Sequence, residues 1–145
     1  VALVELAAVL FMTNLSLPLM TGFVLMISAV VEEIAKSAGV VIMLQDHVIS
    51  RKRDVLKLAV ISALGFLLME KLLLFLIMGV ISDSSIVEAL FSWGLLLAPL
   101  ALHVVSTSLV CLATARYGTR FYILAVIFGS MLHAIYNFSV VGTTL

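Results

Sequence analysis

Four apolar runs, each long enough to cross a lipid bilayer, and a shorter fifth leave this chain little choice of solvent. A spanning helix needs about 20 mostly apolar residues, because the hydrocarbon core is ~30 Å thick and each residue rises ~1.5 Å. Divided at its polar breaks, the sequence yields stretches at residues 1–17, 19–44, 55–80, 89–115 and 121–141. The first ends near Thr13, Asn14 and Ser16, with Pro18 behind them, and starts without a methionine, as a piece of a longer chain would. Composition agrees: 64% of residues are apolar and 11% charged, against roughly 45–50% and about 25% in soluble domains. The expectation is an all-α, polytopic transmembrane helix bundle of about five spans. It forms one domain over residues 1–145, with no β-sheet.

Other classes fall away. Eight basic and eight acidic residues cancel, so no nucleic-acid footprint is present. The single cysteine, Cys111, has no internal partner for a disulfide and reads as packing. No stretch has the basic start and cleavage site of a signal peptide. Orientation follows from the short loops. Arg51, Lys52 and Arg53 lie between the second and third stretches, and Arg116 and Arg120 between the fourth and fifth. The loop between the third and fourth carries Asp83 and Glu88 and no basic residue. Positive-inside logic puts the N-terminus and the basic loops in the cytoplasm, with Trp93 near the outer interface and Tyr117 and Tyr122 near the inner one.

The informative residues are the polar ones inside these spans, since a charge at the bilayer centre costs at least about 2.5–3.5 kcal/mol. Counted from the basic-loop ends at ~1.5 Å per residue, Glu33 lies ~16 Å deep, Glu70 ~22 Å, and His103 and His133 ~18 Å. Four spans thus deliver polar groups to one layer, slightly nearer the cytoplasmic face, where a shared cavity is expected to open. Faces agree with depths. His133 and Asn137 are one turn apart, with Ala125 and Gly129 on the same stripe, where small residues let helices approach. Ala63, Phe66 and Glu70 share a second stripe; Pro99, His103, Ser106 and Thr107 share a third. The i,i+4 spacing of Glu32 and Lys36 permits an ion pair. Singly, each residue has a plain structural reading: a buried charge cluster, a packing histidine, an asparagine bridging helices.

Together the motifs resemble a family. Glu32-Glu33-Ile34-Ala35-Lys36 reads as EExxK, Phe66 to Glu70 as FxxxE, His103 to Ser106 as HxxS, and His133 to Asn137 as HxxxN. That order is similar to the PrsW intramembrane proteases and their relatives: CAAX prenyl proteases, bacteriocin-immunity (Abi) proteins and the Aph-1 subunit of γ-secretase. Glu70, where the CAAX branch resembles FxxxH, points to the PrsW side. Lys71 departs from the asparagine that PrsW relatives often carry there.

The resemblance implies hydrolysis of peptide bonds in a transmembrane or membrane-tethered protein substrate within the lipid bilayer. Glu32 would be the general base, Glu33 its support and Lys36 the charge partner. His133 and Asn137 would hold the oxyanion, and His103 or Glu70 would orient the water. A metal version uses the same groups differently: Glu70, His103 and His133 form a plausible zinc (Zn) set with an open fourth position, and Glu32 or Glu33 is then the base. Between no metal cofactor and Zn the spacing does not choose. The alternative is an Aph-1-like scaffold that pairs its buried polar groups and cuts nothing. Proton or ion transport ranks last, because no inverted repeat is visible.

Overall fold

The computed structural model describes residues 18–81 and 93–143. The stretch at residues 1–17 and the loop with Asp83 and Glu88 lie outside them, as does the side chain of Trp93. Among the described residues the chain forms four long helices and no strand: α1 (Pro18–Gln45), α2 (Lys52–Ile81), α3 (Trp93–Tyr117) and α4 (Tyr122–Thr143). A helix satisfies its own backbone polar groups, which is the condition for a long apolar segment to sit in lipid. Two stretches, Leu97–Tyr117 and Thr119–Ser139, are apolar and long enough to cross a membrane by length and composition.

The helix ends follow local chemistry. Pro18 opens α1, where its missing N–H costs nothing. At the other end His47 takes a left-handed conformation (φ 56°), and Val48 N–H donates back to the Met43 carbonyl at 3.0 Å, closing the helix as a left-handed cap does. Between α3 and the 3₁₀ turn Thr119–Phe121, Gly118 has φ 88°, a conformation open to glycine without strain.

Packing places α3 against α1, α2 and α4, and α1 against α4, with a lighter touch between α1 and α2. The bundle buries a polar layer among apolar side chains and turns large apolar groups outward. Glu32, Glu33, Lys36, His103, Ser106, Thr107, His133 and Asn137 are all buried. By contrast Leu68 is 70% exposed and Ile123 72% exposed. Large apolar groups turned outward with charges turned inward make a surface suited to lipid and an interior that must satisfy its own polar atoms.

Small residues bring the helices close. Ser130 Oγ on α4 donates to the Ala29 carbonyl of α1 at 3.3 Å. A Cβ at Gly129 would stand 2.7 Å from Val110 Cγ2 and 3.6 Å from Glu33 Cγ. Glycine therefore sets how closely α4 approaches α3 and the acidic pair of α1. Gly129→Ala should destabilise the bundle by about 1–3 kcal/mol through overpacking, read as a lower thermal midpoint in detergent micelles. Gly39→Ala and Gly65→Ala, where a Cβ meets nothing within 4 Å, should be neutral or stabilising in the same assay.

Candidate active site

Glu33 on α1 is held from several sides. Its Oε1 accepts from Lys36 Nζ at 2.5 Å and from Ser106 Oγ at 2.7 Å, and its Oε2 accepts from Thr107 Oγ1 at 3.4 Å. The Glu33 and Lys36 side chains are both fully enclosed, at 0% exposure. The i,i+4 spacing permits a Glu32–Lys36 pair, and the structure shows the ammonium bonded to Glu33 at i,i+3. Glu33 also faces the α3 hydroxyls, so cation and hydroxyls share one carboxylate. Lys36 also reaches across to α3, with Nζ 2.9 Å from His103 Nδ1.

That contact orients His103. An ammonium has three donors and no acceptor, so Nδ1 must be the accepting nitrogen and a neutral ring carries its proton on Nε2. Nε2 lies 3.3 Å from Glu70 Oε2 on α2. Glu33, Lys36, His103 and Glu70 thus form one alternating line across three helices. Phe66, a turn before Glu70, closes one side: Lys36 Nζ lies 5.4 Å from its ring centroid, and its ring lies 5.8 Å from that of His103.

His133 on α4 meets the line edge-on, its ring centroid 5.0 Å from that of His103 at an 89° interplanar angle. Its Nε2 is 3.4 Å from Glu32 Oε2 and its Nδ1 is 3.5 Å from Glu33 Oε1. Neutral imidazole has only one N–H, so one of these contacts sets a lone pair against a carboxylate. A cation beside it removes that conflict. Ser28 Oγ donates to the other oxygen of Glu32 at 3.4 Å. Asn137, one turn beyond His133, is buried, and its Nδ2 has no hydrogen-bond partner among the described residues.

The same groups fit a divalent metal. Glu32, His103 and His133, all buried, offer ligand atoms that lie within 4.8 Å of one another. One carboxylate and two imidazoles are a zinc donor set that leaves a position open. Three carboxylates against one ammonium, with the imidazoles counted as neutral, also leave the cluster with a formal net charge of −2. The sequence reading groups Glu70 with the two histidines. In the structure Glu32 joins them, and Glu70 stands at the Nε2 edge of His103.

Residues 1–144 match the description "PrsW family intramembrane metalloprotease". The chain belongs to the PrsW family. No curated protein and no solved structure matches it. Membership agrees with the inside-out packing and identifies this PrsW-family chain as a membrane-embedded protease at the level of the family.

All six residues expected at the site of the PrsW-family chain meet in one layer or, for Asn137, one turn from it. Several supports carry no motif of their own. Ser62 Oγ donates to the Lys36 carbonyl at 2.5 Å, and Ser37 Oγ lies 2.9 Å from Tyr122 Oη. Hydroxyls at helical spacing from charged residues (Ser28 four before Glu32, for one) were the available signal. On the basic-loop side, where an opening is expected, the structure has an apolar cluster of Val40, Val55, Ala59 and Cys111, flanked by Leu44, Ile49 and Leu112. Lys36→Met should cost about 3–5 kcal/mol, because it leaves Glu33 buried without its counter-ion. The double variant Glu33→Gln/Lys36→Met should recover most of that loss. Thermal unfolding of both variants in micelles checks the difference.

Proposed function

We propose that this PrsW-family chain is an intramembrane endopeptidase that cuts transmembrane or membrane-tethered protein substrates. One observation carries the reading: ligand atoms of a carboxylate and two imidazoles lie within 4.8 Å of one another in a buried layer, beside three further ionisable groups, Glu33, Lys36 and Glu70. In this reading the chain crosses the bilayer about five times, with its N-terminus and basic loops cytoplasmic.

Glu32, His103 and His133 would hold a zinc ion, which supplies Lewis acidity toward the scissile carbonyl and its attacking water. The remaining work belongs to side chains. Glu70 Oε2, which stands 3.3 Å from His103 Nε2, takes the proton of the attacking water and returns it to the leaving amine. Glu33 Oε1 faces His133 Nδ1 and fixes the ring so that Nε2 points at Glu32. Asn137 Nδ2 is a spare buried donor, aligned by helix geometry with His133, and donates to the oxyanion. Lys36, Ser106 and Thr107 hold Glu33 in place.

A second reading rests on the 2.9 Å contact between Lys36 and His103 Nδ1. That contact favours a metal-free site, in which Glu32 is the base and His103, turned by Lys36, presents Nε2–H to Glu70 and orients the water. The readings differ in measurable ways. With zinc, purified protein carries one equivalent of metal, chelation abolishes cleavage of a transmembrane substrate, and Glu32→Gln loses both metal and turnover. Without zinc, chelators leave the rate unchanged and Glu32→Gln lowers it by about 10²–10⁴-fold. A folded Glu32→Gln protein that cleaves at the wild-type rate overturns both assignments. Absence of cleavage in the wild type, with loss of a bound partner in the variant, indicates the scaffold alternative.

A further inference from the structure

We propose that Lys36 is a built-in cation that competes with the metal, holding His103 in the tautomer that cannot ligate through Nε2. The inference deepens the zinc reading and rests on it for the identity of the competitor. Its grounds are geometric. Lys36 Nζ sits 2.9 Å from His103 Nδ1 while bonded to Glu33, and Phe66 lies against it. The Lys36 side chain is fully enclosed, so its ammonium is held by these partners rather than by solvent.

A ligating Nε2 needs its lone pair free, which puts the ring proton on Nδ1. Nδ1–H cannot face an ammonium proton at 2.9 Å. Metal at Nε2 therefore requires the ammonium to withdraw from His103 and rest on Glu33 alone. Until it does, His103 faces Glu70 as a donor, and the three negative groups are partly compensated from within. His133 is free of this constraint: its Nδ1 faces Glu33, an acceptor, so its Nε2 is available to a metal. The two histidines are unequal by construction. His133 is poised to ligate; His103 ligates only when Lys36 releases it.

The competing cation predicts that removing it tightens metal binding, whereas a purely structural lysine predicts loss. The informative variant is Glu33→Gln/Lys36→Met, which deletes the ion pair as a unit and leaves the charge of the cluster unchanged. The amide that replaces the Glu33 carboxylate still offers an oxygen to His133. Zinc affinity is measured in detergent micelles by competition with a chromophoric chelator, for wild type, the double variant, Lys36→Arg and His133→Ala. The double variant should bind zinc at least tenfold more tightly than wild type, and His133→Ala should bind none. Lys36→Arg should stay within threefold of wild type. ¹⁵N-histidine NMR of the metal-free wild type, which needs no variant, should give His103 as the Nε2–H tautomer. Equal or weaker zinc binding by the double variant, with His133→Ala still negative, overturns the competition and leaves the zinc reading standing. An Nδ1–H tautomer at His103 overturns it whatever the affinities. Failure of every protein to bind zinc overturns both.

Discussion

An ion pair sealed inside an apolar bundle governs this molecule. Glu33 and Lys36 sit one turn apart on α1 with no exposed side-chain surface, where neither charge is tolerable alone. Their remaining bonding capacity must be met by neighbours, and the neighbours come from α3: Ser106, Thr107 and His103. Satisfying one buried pair thus fixes the rotation of α1 and α3 about their axes. Glu70 is then drawn to the far edge of His103, which aligns α2.

Close approach makes this possible. Gly129 admits Val110 at a distance a methyl group would forbid, with Glu33 in ordinary contact beside it, and Ser130 ties α4 to the backbone of α1. In lipid there is no hydrophobic force between helices, so such contacts and interhelical hydrogen bonds carry the association. The same close packing holds His133 between two carboxylates. A site assembled from four helices gains rigidity from the bundle, which suits groups that must meet a transition state without rearranging.

The apolar cluster of Val40, Val55, Ala59 and Cys111 gives the bundle a second, apolar centre toward the basic loops. It separates the polar layer from the end that carries Arg51, Lys52 and Arg53. Beyond the polar layer, apolar burial concentrates in this second cluster, while Ala29, Leu67, Val110 and Ala134 also pack among the polar groups.

The amino-acid sequence alone determined the solvent, the helical class and the membership of the polar layer. Apolar run length dictates a membrane helix, and a fixed rise per residue converts spacing into depth, so Glu33, Glu70, His103 and His133 were already level. The 3.6-residue period likewise put Asn137 beneath His133. What it could not decide was partnership. Lys36 is within reach of Glu32 and Glu33 along one helix, but its contact with His103 comes from a helix far along the chain. That Glu32 comes within 4.8 Å of ligand atoms on both histidines is likewise set by how the helices are rotated. Depth is a property of one helix, but rotation and approach are set between helices, by Gly129, by Ser130 and by the demand that every buried charge find a partner. Only the tertiary structure resolves those.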